Sequence, residues 1–324
     1  MEELFMQSIL PKSFSFVNRF SKYEGNPILR PHGDIAADCI FNPGAVVCGD
    51  EVVMLCRCIN FQGVQPKTNW SVSTLTFAHS RDGLNFELDK KPFLAPEDNS
   101  HYVGGYEDPR LVWLPEEKLY ALTYTGVVSR TNTVGMLALS PDLKKWEFCG
   151  EILPGRAIAI TDRKINGKYW AYYGNTDISL AYSEDLKHWE TCSKPVLVPR
   201  QGCFDNVLCE AVSAPIINDD GILLMYNGAA NGNYRTLLGE RINGFRKAID
   251  DCCYSIGWAL FDRNDPAKLI ARSDEAIIEP QYQYECYGIA EYTTFGNAVV
   301  HFKNRWYLYY GCSDTRIAAA VADE

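Results

Sequence analysis

Glu107, Asp108 and Arg110 stand within four residues of one another, behind the pair Gly104-Gly105 and around Pro109. A carboxyl beside a guanidinium suits sugar binding and acid catalysis. The glycines permit unusual backbone angles and the close approach of a ligand. Pro109 removes a backbone donor and biases Asp108 towards an extended conformation. Extended neighbours point to opposite sides. This predicts that Glu107 and Asp108 occupy different environments, with one of them facing a pocket and Arg110 pointing the same way as Asp108. A turn closed by a surface ion pair is the competing reading of the same string.

The elements that must position this string recur along the chain. An apolar, aromatic strand ending in glycine occurs as Leu119 to Gly126, Tyr169 to Gly174, Ile222 to Gly228 and Trp306 to Gly311, with Val52 to Arg57 as a degenerate copy. After it comes a short strand, a Ser-x-Asp turn and an aromatic residue. Examples are Ala78 to Phe86, Ala138 to Trp146 and Ala181 to Trp189, with eroded forms at Ala259 to Asp262 and Ile317 to Val321. Strands this short and apolar do not stand alone. Five units without long helical periodicity predict radial stacking of four-stranded blades, an all-β five-bladed β-propeller spanning 1–324 as one domain. Residues 1–30 read as a lead-in packing on its edge. The Ser-x-Asp turns, present blade after blade, belong to the scaffold. Glu107, Asp108 and Arg110 occur in one blade and are the functional candidates. Arg57, closing an apolar strand, is expected to point into a cleft.

Composition narrows the chemistry. The 324 residues are 47% hydrophobic, with a net charge of −10. That supports a packed core and no nucleic-acid footprint, since no basic cluster stands out. The 13% aromatic residues read mostly as sheet packing. Twelve cysteines without an export-type leader read as reduced thiols of a cytoplasmic protein. Neither Cys56/Cys58 nor Cys252-Cys253 has zinc-site spacing, so no metal is expected. No apolar run is long enough to span a membrane.

At Glu107-Asp108-Pro109-Arg110 the sequence resembles glycoside hydrolase family 130, which comprises β-mannoside phosphorylases and a smaller set of β-mannosidases on a five-bladed propeller. The resemblance continues through Asn26 to Leu29, Phe41 to Ala45, Ala78 to Phe86, Lys164 to Tyr169, Asp262 with Asp265-Pro266, and Tyr309 to Thr315. It implies that Asp108 is the general acid, passing its proton through a hydroxyl of the bound mannose. It implies that Asn42, Arg57 and Arg110 line the mannose subsite. Asp314 falls in a family motif and is a substrate-contact candidate, with capping of the turn after Gly311 as its alternative role.

The resemblance also bears on the nucleophile. Family phosphorylases carry an arginine before the Lys-Ile-Asn-Gly-Lys-Tyr string, a His-Arg pair after it, and a histidine in a later Tyr-His-Gly strand end. Here Arg156 matches the first; Tyr173-Gly174 replaces the pair, and Asn227 replaces the histidine. Arg163 and Arg235 are the residues that could compensate. A charged hydrogen bond is worth about 1.5–3 kcal/mol, so losing two basic positions predicts weak phosphate capture. The expectation is an inverting β-mannosidase, with water activated by a carboxylate opposite Asp108. Glu210 is the first candidate, Glu291 the second and Glu285 the third; each competes with the role of a plain loop acid. The alternatives are an inverting phosphorylase with phosphate as co-substrate, releasing mannose-1-phosphate, and a non-catalytic carbohydrate-binding propeller. The expected partner is a β-manno-oligosaccharide. No metal or organic cofactor is implied, and a homo-oligomer is compatible with the sequence.

Overall fold

A computed structural model of the chain describes residues 10–36, 38–61, 71–98, 100–231 and 252–324. A 3-10 helix, Lys12–Arg19, leads into β1 (Ser21–Lys22). Five small sheets follow in a ring, forming a five-bladed β-propeller. The first blade holds β2 (Cys39–Cys48), β3 (Glu51–Ile59), β4 (Ser73–Ser80) and β5 (Glu87–Leu88). The second holds β6 (Tyr106–Leu114), β7 (Leu119–Ser129), β8 (Asn132–Ser140) and β9 (Glu147–Pro154). The third holds β10 (Ala159–Ile160), β11 (Tyr169–Tyr173), β12 (Ser179–Ser183) and β13 (Glu190–Thr191). The fourth is built from β14 (Leu208–Ala211), β16 (Gly221–Ala230), β17 (Cys253–Asp262) and β18 (Asp265–Arg272), with β15 (Ile216–Asn218) also pairing β16. The short helix α1 (Gln283–Cys286) precedes the last blade of β19 (Thr294–Phe302), β20 (Arg305–Cys312) and β21 (Arg316–Asp323). Its fourth strand is β1, in register Ser21↔Val321 and Lys22↔Ala320. The lead-in is therefore an edge in a literal sense: it completes the last blade. Phe16 anchors it by stacking on Trp306 at 4.1 Å between ring centroids.

Strand periodicity explains why the blades are apolar on both faces. Along β20, Leu308 and Tyr310 pack against the fourth blade, while Tyr307 and Tyr309 pack against the first. Along β16, Leu223 and Met225 face the last blade, while Ile222, Leu224 and Tyr226 face the third. Successive side chains leave a strand on opposite faces, so a strand sandwiched between two blades must be hydrophobic throughout. Ser-x-Asp turns repeat one bonding pattern. Asp82 accepts from the amides of Leu84 and Asn85, Asp142 from Lys144 and Lys145, and Asp185 from Lys187 and His188, all at 2.8–2.9 Å. All twelve cysteines are free. Among the described residues no helix is long and apolar enough to cross a membrane.

Candidate active site

The start of β6 does not run as an extended strand. Asp108 has φ +49°, and the pairing of β6 with β7 shifts between Glu107 and Arg110. A residue in the left-handed region turns its side chain out of the strand alternation, and aspartate tolerates that region better than most. The expected separation of Glu107 from Asp108 therefore fails. One guanidinium holds both: Arg57 donates from Nη2 to Glu107 Oε1 at 2.6 Å and from Nη1 to Asp108 Oδ1 at 3.2 Å. Its Nε donates to Ser73 Oγ at 2.9 Å, and its Cζ lies 4.6 Å from the centroid of the Phe41 ring, so the fork is fixed in orientation. Arg156 approaches the same carboxyls, with Nη2 3.5 Å from Glu107 Oε2 and Nη1 3.9 Å from Asp108 Oδ2.

The neighbouring innermost strands complete the mounting of Asp108. Asn42 also has a positive φ, at a bulge of β2, and donates its amide to Asp108 Oδ1 at 2.9 Å. Gly311 makes room for it: a Cβ there would lie 2.2 Å from Asn42 Oδ1. Asn297 of β19 bonds the carbonyls of both Asn42 and Pro109, at 3.3 and 3.0 Å. Arg110 is buried beneath the site and does not line the cavity. It donates to the Asp108 carbonyl at 3.0 Å, to Glu210 Oε1 at 3.2 Å and to the Ala211 carbonyl at 2.6 Å. One planar group thus spans the backbone of Asp108 and the carboxylate of Glu210, and it sets their relative placement.

These residues surround a cavity of about 330 Å³, lined by Asn42, Arg57, Asp108, Arg156, Glu210 and Asp314 on its polar side. Leu208, Tyr254, Ile289, Ala290 and Phe295 supply an apolar wall, and Glu291 lies beside them. The candidates Asp108, Glu210 and Glu291 are therefore gathered on one cavity. Glu285 is not among them: it is fully buried and paired with Lys22 and Tyr310. Arg163 lies in a separate groove of about 230 Å³ and pairs with Asp162. Arg235 lies outside the described residues. Tyr254, Phe295 and Asn175, which also lines the cavity, were not singled out from sequence. Asn175 directly follows a glycine-ended strand, one position beyond the place in the repeat where the first blade carries Arg57.

Electrostatics separates the carboxyls. Burial opposes charge on Asp108, but Arg57, Arg156, the Asn42 amide and Arg110 together outweigh it and hold Asp108 below the usual carboxylate range. Burial lifts Glu210 to about 7 against the pull of Arg110 and Arg156, with Asp108 adding to the rise. Burial likewise lifts Asp314 to about 7; Arg57 opposes the rise and Asp108 adds to it. At neutral pH Asp108 is a carboxylate while Glu210 and Asp314 stand near their midpoints.

A propeller with paired carboxyls of divergent acidity, mounted on arginines at one cavity, is the build of a carbohydrate-cleaving enzyme. The chain belongs to glycoside hydrolase family 130: the family model described as beta-1,4-mannooligosaccharide phosphorylase matches residues 13–324. A β-1,2-mannobiose phosphorylase of Thermoanaerobacter sp. (strain X514) is 31% identical over 317 residues, covering 94% of this chain and 98% of the relative. The β-1,2-mannobiose phosphorylase of Listeria innocua, solved with β-1,2-mannobiose, superposes with TM-score 0.77 at 25% identity, over 94% of this chain and 96% of the other. A further solved structure is described by the statement that this family of mannoside phosphorylases contains glycoside hydrolases targeting β-1,2 mannosidic linkages in Candida mannan. It superposes with TM-score 0.83 at 28% identity, over 98% of each chain. The four curated relatives all carry phosphorylase names. Those names favour phosphorolysis over the hydrolysis expected from the sequence.

Proposed function

We propose that this protein cleaves β-mannosidic bonds by a single inverting displacement, with Asp108 as the acid, Glu210 as the base and water as the nucleophile. The observation that carries the choice of water is the charge of the cavity. Among the described residues four carboxyls line it, Asp108, Glu210, Glu291 and Asp314, against two guanidiniums, Arg57 and Arg156. Both guanidiniums already face Glu107 and Asp108. A phosphate dianion needs several charge-assisted donors to offset its desolvation. Asn227, at the position of the family histidine, is committed elsewhere: it exchanges hydrogen bonds of 2.9 and 2.7 Å with the backbone of Gly296. Water needs a single carboxylate to take its proton. In the displacement the water oxygen bonds to the anomeric carbon as the glycosidic bond breaks. Glu210 takes the water's proton, and the proton of Asp108 reaches the leaving oxygen through a mannose hydroxyl. Asn42 Oδ1 and Arg156 Nε are buried polar atoms without a hydrogen-bond partner among the described residues. The reading calls for no metal or organic cofactor.

Phosphorolysis is the second reading, supported by the names of the relatives, and Arg156 would then be the first phosphate ligand. The rate of β-1,2- and β-1,4-mannobiose cleavage with and without phosphate tests the choice. Equal rates support water; an absolute need for phosphate overturns it.

The proton inventory adds a prediction. Below about pH 7 the pair holds one proton, which rests on Glu210, and the productive state is the minor form in which Asp108 carries that proton and Glu210 is bare. The pair loses that proton as pH rises through about 7, the value to which Glu210 is lifted. Two coupled carboxyls titrate as a pair, so kcat/KM is expected to be flat at mildly acidic pH and to fall about tenfold per pH unit above the upper midpoint. Asp314→Asn should leave that limb in place. A profile that climbs through pH 7 would contradict the assignment.

A further inference from the structure

We infer that Lys22 of the N-terminal strand and buried Glu285 form a positioning pair that holds one wall of the cavity, so that closing the propeller and shaping the site are one event. Neither residue lines the cavity. Glu285 gathers the loop ahead of β19 from both ends. Its Oε2 accepts from the backbone amides of Gln281 and Tyr282 at 2.8 and 3.0 Å and from Lys22 Nζ at 2.6 Å. Its Oε1 accepts from the Tyr310 hydroxyl at 2.9 Å. Its backbone carbonyl accepts from the Thr293 amide at 2.8 Å. Lys22 also reaches the Glu279 carbonyl at 2.6 Å, two residues before Gln281 in the same loop. The segment pinched between these anchors carries Ile289, Ala290, Glu291 and Thr293 into the cavity wall.

A second set of bonds ties this wall to the turn that bears Asp314. The amides of Ile289 and Ala290 donate to the Ser313 carbonyl at 2.9 and 3.3 Å, and the Ser313 amide donates to the Thr293 carbonyl at 3.0 Å. Gly288 allows the approach, since a Cβ there would lie 2.2 Å from the Ser313 carbonyl oxygen. Asp108 and Glu210 stand on β6 and β14 and share none of these bonds. Loosening the pair should therefore move the substrate wall while leaving the acid and Glu210 in place. The inference rests on the proposed mannoside cleavage for its kinetic test only.

Two variants test it. Tyr310→Phe removes one donor to Glu285 and keeps the ring. Lys22→Met combined with Glu285→Gln removes both charges together, so that no buried charge is left unpaired, and Gln keeps an acceptor for the loop amides. In each, KM for β-mannobiose is expected to rise about tenfold or more, the scale of one lost hydrogen bond to a charged group, with kcat changed by less than about threefold. Hydrogen exchange reads the wall without substrate: the amides of Ile289, Ala290 and Thr293 should exchange faster while those of β16 stay protected. A fall in kcat at unchanged KM, the signature of a smaller folded fraction, or unaltered exchange at these amides overturns the inference. A wild-type protein inactive on every β-mannoside overturns the proposed function instead, and the exchange measurement then decides this inference.

Discussion

Asp108→Asn is expected to lower turnover of β-mannobiose by about 10²–10⁴-fold, the usual worth of a positioned proton donor, while sugar binding survives. The substitution suits its site. Asp108 sits at φ +49°, a conformation that asparagine accepts as readily as aspartate. The amide keeps an oxygen to accept from Asn42 and Arg57, whose bonds to Oδ1 are 2.9 and 3.2 Å. Glu107 still balances Arg57 and Arg156. What the variant lacks is the proton. Thermal unfolding of the variant close to wild type, with kcat reduced and binding by calorimetry retained, is the expected pattern. Activity within a few-fold of wild type would remove Asp108 from the role of acid.

Glu210→Gln is expected to abolish hydrolysis to a similar degree, about 10²–10⁴-fold, with azide restoring part of the rate. Azide needs no base, and attack from the face that water would use yields the inverted glycosyl azide. Gln keeps the oxygen that Arg110 holds at 3.2 Å, so the strand and the guanidinium beneath it stay in place. The same substitution at Glu291 distinguishes the two glutamates that line the cavity. Loss of hydrolysis with azide rescue at Glu291, and not at Glu210, would move the base to the loop wall. Neither effect at either residue would leave the proposed displacement without a base and contradict it.

The architecture was legible because it repeats. Glycine-ended strands and Ser-x-Asp turns recur blade after blade, and each asparate-capped turn bonds its own backbone in the same way. Residues that break the repeat, Arg57 and the Glu107–Arg110 string, stand out for that reason, and hydrogen bonds join them in the structure. Orientation was not legible. The rule of alternating side chains fails at Asp108, where a bulge and a positive φ turn it towards the arginine that also binds Glu107. Arg110 read as a subsite residue, yet its neighbours, Glu210 and the Ala211 carbonyl, come from a blade about a hundred positions away, and they draw it beneath the cavity. Glu285 read as a third base candidate because its partner Lys22 lies 263 positions earlier, a distance over which no local pattern speaks. The apolar wall of Tyr254 and Phe295 was hidden among aromatic residues that elsewhere only pack between blades.

The early-time proton NMR spectrum of the products from β-1,2- and β-1,4-mannobiose, recorded in phosphate buffer, tests the central claim most directly. It reads nucleophile and stereochemistry together. The account predicts that the mannose freed from the non-reducing end appears as the α-anomer, so that α-mannose at first exceeds its mutarotated share, with no mannose-1-phosphate at any time. Accumulation of α-mannose-1-phosphate would contradict hydrolysis in favour of the phosphorylase reading, and an early excess of β-mannose over its mutarotated share would contradict the single displacement itself.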